Sequence, residues 1–308
     1  MTTPIQDPEE LDKVASLARR HGLEPCGPIE LNELGLDFQV GFLTDQSGVN
    51  WVLRIPRRAD VLPRLENEGR VLAFVNGKIP VLVPDWKIVS NELIAYPRLE
   101  GKLGVTVDAQ THEPTWNFDK SSTRFQASLG QTLAALHGLD SAEAASAGLK
   151  ALSPEGVRQR FADQLDQVRR EFDISEPLDR RWRTWLDDDE AWPPHTTLVH
   201  GDLHVGHVLI DETAKATGIL DWTEAEVSDP SIDLIFHLMG FGPEGLEQLL
   251  VEYENAGGHT WPGLRRQVEE RLAAFPIQHA LFAIQSGNAE LIEAAKTQLT
   301  ATGDHESS

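Results

Sequence analysis

The hydrophobic pattern of this chain changes character near Arg98, and the change limits the folds open to it. Ahead of Arg98 the apolar residues gather in short runs. These are LNELGLDFQVGF from Leu31 to Phe42, VNWVLRI from Val49 to Ile55 with Pro56 ending it, Val81 to Val83 with Trp86 to Val89, and Leu93 to Tyr96. Short runs rich in β-branched and aromatic residues, bounded by turn residues, predict strands. Two helical patterns interrupt them. Residues 8–20 place Leu11, Val14, Leu17 and Ala18 at helical spacing behind acids in the first turn, and residues 64–75 do so with Leu65, Val71, Leu72 and Val75. After Arg98 the stretch from Gly101 to Asp119 reads as loop. Helical stripes then take over, with Phe125, Leu129, Leu133 and Leu136 in 123–137 and Val157, Phe161, Leu165, Val168 and Phe172 in 156–172. Leu198 to Leu220 reads as short strands and loops, and from about Ile232 the chain is helical. The acidic stretch Asp187 to Glu190 reads as a solvated helix end or loop, and the tail after Ala301 as frayed. The pattern predicts an α+β, bilobal plan, with a small antiparallel-sheet N-lobe over residues 1–98 and a larger helical C-lobe over 99–308.

Composition narrows the function. The 308 residues are 40% apolar and 25% charged, enough to bury a substantial core. Against 49 acidic residues stand 27 basic ones, a net charge of −22. That excludes the extended basic footprint of a nucleic-acid binder and suits cationic small molecules. A single cysteine, Cys26, excludes an internal disulfide and any cysteine-based metal cluster. The polar start MTTPIQDPEELDK is no secretory signal, and no apolar run reaches the roughly 18 residues of a membrane span. A soluble cytoplasmic protein, monomeric and without membrane or nucleic-acid partners, is the expectation.

One segment is dense with chemical groups, His200-Gly201-Asp202-Leu203-His204-Val205-Gly206-His207-Val208-Leu209-Ile210-Asp211, and Ile219-Leu220-Asp221-Trp222 follows it. Asp202 lies in a glycine-containing loop with His207 five residues on. Val208 to Ile210 predicts a buried strand and Gly218 to Leu220 its hairpin partner, ending at Asp221. Such a hairpin brings His207 and Asp221 to one mouth with Asp202 beside them. Two carboxylates and an imidazole in that arrangement suit a divalent metal and the activation of a hydroxyl group.

This spacing resembles the catalytic loop of the eukaryotic-like kinases, in which an aspartate is followed by four residues and a metal ligand, with a metal-binding aspartate after the next hairpin. The HGD form is similar to the antibiotic phosphotransferase branch. HGDLHVGHVLID, with His207 where most relatives carry asparagine, resembles the macrolide 2′-phosphotransferases. The similarity extends to LNELGLDFQVGF, WVLRIPRR, the helix at 123–139 and ALFAIQSGN, and so covers most of the chain.

The resemblance implies a bilobal protein-kinase-like fold, Mg²⁺ as cofactor and GTP (or ATP) as phosphoryl donor. Asp202 would accept or orient the substrate hydroxyl proton, and Asp221 would bridge the metal to the nucleotide. His207 is implied as a second metal ligand, although an imidazole is a softer donor than Mg²⁺ prefers; the alternative is a hydrogen bond orienting Asp202. Arg54 stands where kinases place the phosphate-contacting lysine, with Glu68, or else Glu66, as its helix partner. Residues 31–42, including Gly35 and Asp37, would cover the phosphates. Tyr96, Pro97, Arg98 and Leu99 would form the hinge that reads the purine edge through backbone groups.

A macrolide is a large apolar ring bearing a cationic amino sugar, so its pocket needs apolar walls and a few acids. His204, Trp222, Glu224, Glu226, Phe236, His279 and Phe282 are the candidates for that pocket. The implied activity is transfer of the γ-phosphoryl group to the 2′-hydroxyl of the macrolide amino sugar, giving resistance. The alternatives are a kinase of another small alcohol, such as an aminoglycoside, and a nucleotide- or drug-binding pseudokinase.

Overall fold

A computed structural model describes residues 7–32, 37–58, 61–108, 111 and 113–301. Gly35 and the tail after Ala301 lie outside these. The chain divides into two compact units, Met1–Ser128 with Val205–Ala225, and Leu129–His204 with Glu226–Ser308. The cut expected at residue 98 falls inside the first unit.

The first unit is built on a five-stranded antiparallel sheet ordered β1-β2-β3-β5-β4: β1 (Glu30–Asn32), β2 (Phe38–Thr44), β3 (Asn50–Pro56), β4 (Ile88–Val89) and β5 (Ile94–Pro97). Side chains alternate across it. Leu43, Leu53, Leu93 and Ala95 meet Val14, Leu17 and Ala18 of α1 (Pro8–Arg20). Val52, Ile94 and Tyr96, with Phe38, Val40 and Phe42, meet Leu62 and Leu65 of α2 (Leu62–Val75) on the opposite face. Arg54 has the parity of Val52 and is paired across the sheet with Val40 and Ile94. Strand alternation therefore sends its guanidinium to the α2 side.

Three strands occupy the stretch read from sequence as loop, β6 (Lys102–Leu103), β7 (Val105–Val107) and β8 (Pro114–Trp116). They are too short for a period to show; β6 is a strand through a partner distant in sequence, and β7 and β8 through pairing with each other. β6 joins β10 (Val208–Ile210) and β11 (Ala216–Ile219) in a three-stranded sheet, while β7 and β8 form a hairpin. Gly104, between β6 and β7, lets the backbone close on Val205, since an added Cβ there would lie 2.6 Å from the valine Cγ1. The run at Val81–Val83 forms only a parallel bridge, from Leu82 to Gly218. Pro80 and Pro84 flank it and cannot donate to a ladder.

The second unit is mainly helical. α3 (Thr123–His137) enters it at Leu129, followed by α4 (Ser141–Ser146), α5 (Pro154–Glu171), α6 (Glu176–Leu186), α7 (Ile235–Asn255), α8 (Leu264–Ala273), α9 (Phe275–Ser286) and α10 (Ala289–Thr300). β9 (Thr197–Val199) pairs antiparallel with β12 (Glu226–Ser228). Its core joins Val157, Phe161, Leu165 and Val168 of α5 to Trp182 and Trp185 of α6 and to Ile277, Ala280 and Ala283 of α9. Among the described residues no helix is long and apolar enough to cross a membrane.

Candidate functional site

In the second unit, β9 runs directly into His200, Gly201 and Asp202. Gly201 has φ +88°, a conformation that glycine adopts without a Cβ penalty. The loop is fixed by Asp233, which lies in the 3-10 turn Pro230–Leu234. Its Oδ2 accepts the His200 N–H and its Oδ1 the Gly201 N–H, each at 2.8 Å. His137 of α3 contacts Asp233 Oδ2 through Nε2 at 3.1 Å and the Tyr253 hydroxyl through Nδ1 at 3.0 Å. Burial pushes the Asp233 carboxyl up, but the His137 bond, the charges of His137 and His200 and the His200 N–H together hold it below its usual value. A fully buried aspartate thus anchors the backbone that presents Asp202, itself half-buried and accepting the His204 N–H on its carbonyl at 3.1 Å.

The first unit holds a continuous chain of polar contacts. On the α2 side of the sheet, Arg54 Nη1 meets Glu68 Oε1 at 2.5 Å. Glu68 is fully buried, so its charge has to be matched within the protein. Burial alone would lower the Arg54 pKa; Glu68, Tyr96 and Asp221 raise it above its ordinary value. Burial pushes the neighbouring Tyr96 hydroxyl up to about 12 against the opposing pull of Arg54. The second Glu68 oxygen lies 3.2 Å from the Thr223 hydroxyl, which is 2.8 Å from Asp221 Oδ1. Asp221 Oδ2 lies 3.8 Å from His207 Nε2. Two donors about 2.1 Å from one ion lie at most about 4.2 Å apart, so these two atoms can share a cation. Asp221 has φ +59°, a left-handed conformation costing a non-glycine residue on the order of 1 kcal/mol. The β10–β11 hairpin sets the spacing, with Val208 opposite Ile219 and the Leu220 N–H donated to the His207 carbonyl at 2.9 Å.

The other expected site residues divide by environment. Glu66 is exposed and Glu68 holds the ion pair. Asp37 pairs with Arg58 at 2.6 Å and Arg64 at 3.5 Å. Tyr96 is buried in β5, followed by Pro97. Arg98 donates its N–H to Asn50 O at 2.7 Å with its guanidinium over Phe42, and Leu99 is half-buried.

Two of the pocket candidates are engaged in other contacts in the structure. Trp222 is fully buried and donates its indole N–H to Ile219 O at 3.1 Å, so its ring is core. Glu226 on β12 is gripped by both Arg160 guanidinium nitrogens, which occupies its carboxylate. Glu224 is exposed. In the second unit an aromatic ladder connects three candidates: His204 stands edge-on to Phe236 at 5.7 Å, Phe236 meets Phe275 at 5.6 Å, and Phe275 stacks on His279 at 6.2 Å. Phe282, one turn beyond His279 on α9, is 51% exposed. Sequence reading missed Phe275, although its spacing of four from His279 on one helix signals a shared face. It also missed Thr223, Asn67 and the His137–Asp233–Tyr253 anchor, whose roles depend on contacts distant in sequence.

The phosphotransferase enzyme family matches residues 28–270. A solved macrolide 2′-phosphotransferase type I is 46% identical and superposes with a TM-score of 0.89, covering 98% of this chain and 99% of its own. A macrolide 2′-phosphotransferase from Brachybacterium faecium is 43% identical with a TM-score of 0.90, over 95% of this chain and 98% of its own. The Bacillus subtilis (strain 168) protein YcbJ is 40% identical over 305 residues, 98% of this chain and all of that protein. An antiparallel sheet early in the chain, a helical remainder and an anchored HGD loop are the frame of a kinase-like transferase, and the chain belongs to the phosphotransferase enzyme family.

Proposed function

We propose that the protein transfers the γ-phosphoryl group of GTP, or of ATP, to the 2′-hydroxyl of the amino sugar of a macrolide antibiotic, and so confers resistance. The observation that carries phosphoryl transfer is the buried Arg54–Glu68 pair joined through Thr223 to Asp221. The macrolide acceptor is supported by the two solved relatives above 40% identity.

Asp202 orients the acceptor hydroxyl and takes its proton as the oxygen bonds to the γ-phosphorus. The bond to the bridging oxygen breaks, and the nucleoside diphosphate leaves with that electron pair. The transition state is loose, so positioning by the anchored loop contributes more than a raised carboxylate pKa. Asp221 offers a hard oxygen donor suited to Mg²⁺, and with His207 Nε2 nearby the pair fits one divalent ion. Bound there, the ion neutralises phosphate charge. Arg54 supplies the fixed positive charge for the phosphates. Tyr96 to Leu99 read the purine through backbone groups. In the second unit His204, Phe236, Phe275, His279 and Phe282 offer apolar area to the macrolide ring. In this reading the nucleotide lobe ends near residue 98 and the enzyme acts as a cytoplasmic monomer.

The test is incubation with GTP or ATP, Mg²⁺ and a panel of macrolides and aminoglycosides, read by mass. A macrolide heavier by one phosphoryl group is the expected product. Modification of aminoglycosides alone, or nucleotide binding without any modified acceptor, would overturn the proposal.

A further inference from the structure

We infer that Thr223 is a positioning residue for the divalent ion, holding the Asp221 carboxylate so that Oδ2 is turned to the ion; this rests on the reading of Asp221 as an ion ligand. Thr223 has one hydroxyl proton and two carboxylates within reach, Asp221 Oδ1 at 2.8 Å and Glu68 Oε2 at 3.2 Å. The shorter distance directs the proton to Asp221. The Thr223 N–H reaches the same Oδ1 at 3.4 Å. Both donors of one residue therefore converge on one Asp221 oxygen, while the other oxygen lies beside His207 Nε2.

The segment carrying Asp221 is also tied to α2 at two points. Glu68 meets it at Thr223, and the adjacent Asn67 donates its side-chain N–H to the Ala225 carbonyl at 3.2 Å. Glu68 in turn is fixed by Arg54. A partner that orients a ligating carboxylate without touching the metal is worth about 10–100-fold in metal affinity.

The experiment measures Mn²⁺ binding by electron paramagnetic resonance, with guanosine or adenosine diphosphate present and no acceptor, so that no turnover contributes. Thr223→Val, which keeps the shape and removes the hydroxyl, is expected to weaken Mn²⁺ binding about tenfold, and Thr223→Ser to stay within about twofold of the parent. Thr223→Ala repeats the comparison if the valine variant does not fold. Asp221→Ala is expected to abolish this binding. Loss in Asp221→Ala with parent-like affinity in Thr223→Val, or a serine variant as weak as the valine one, overturns the role of Thr223 alone. Parent-like binding in Asp221→Ala overturns the ligand assignment beneath it.

Discussion

Asp221 and Trp222 are neighbours in sequence with opposite fates. The strand ending at Ile219 delivers Asp221 in a left-handed turn with a half-exposed carboxylate, while the next side chain folds back over the strand end and is sealed. The order of charged groups in the HGD loop and the following hairpin was legible because short-range spacing dictates it. Which way Trp222 faces was not, since that depends on the turn at Asp221. Trp222→Phe should therefore act on stability, lowering the unfolding free energy by about 2 kcal/mol through the lost indole bond and volume. The acceptor KM should change by less than about twofold. Denaturant titration and steady-state kinetics check both; a large rise in KM at unchanged stability would place the ring in the acceptor pocket instead.

At the level of elements, the strands and helices with four or more apolar positions in register were readable. α1, α3 and α5 run close to where hydrophobic spacing puts them. α6 was not foreseen, because Arg180, Arg181 and Arg183 interleave with Trp182 and Trp185 and mask its apolar stripe. α7 carries a further consequence. His237 stacks on Phe241 at 4.2 Å, and burial pushes its imidazole down to about 4, slightly opposed by the Gly245 backbone. The folded state keeps this ring neutral where the unfolded chain, with a value near 6.5, binds a proton. Stability is therefore fully present above about pH 6.5 and is lost as pH falls toward 4, by about 3 kcal/mol. Urea titrations between pH 4 and 7 should show this slope, flattened in His237→Leu. An unchanged slope in the variant would assign the acid sensitivity to other groups.

For the whole molecule, composition set the sign of the partner and little more. A net charge of −22 disfavours polyanions and suits a cationic acceptor; in the proposed function the nucleotide would depend on local charges such as Arg54. The bilobal α+β plan was visible in the change from sheet to helix and its kinase-like character in the HGD segment, whereas the Asp233 anchor, gathered from α3, the HGD loop and the 3-10 turn, needed the tertiary structure. The proposed reaction depends on one chemical event, proton transfer at Asp202 during phosphorylation of a single hydroxyl. Phosphorus-to-proton NMR on the product, for the parent and for Asp202→Ala, tests it most directly. One phosphoryl group on the 2′-oxygen of the amino sugar is predicted, formed about a thousandfold more slowly by the variant at unchanged nucleotide affinity. Phosphate at another oxygen, or a variant working at the parent rate, would contradict it.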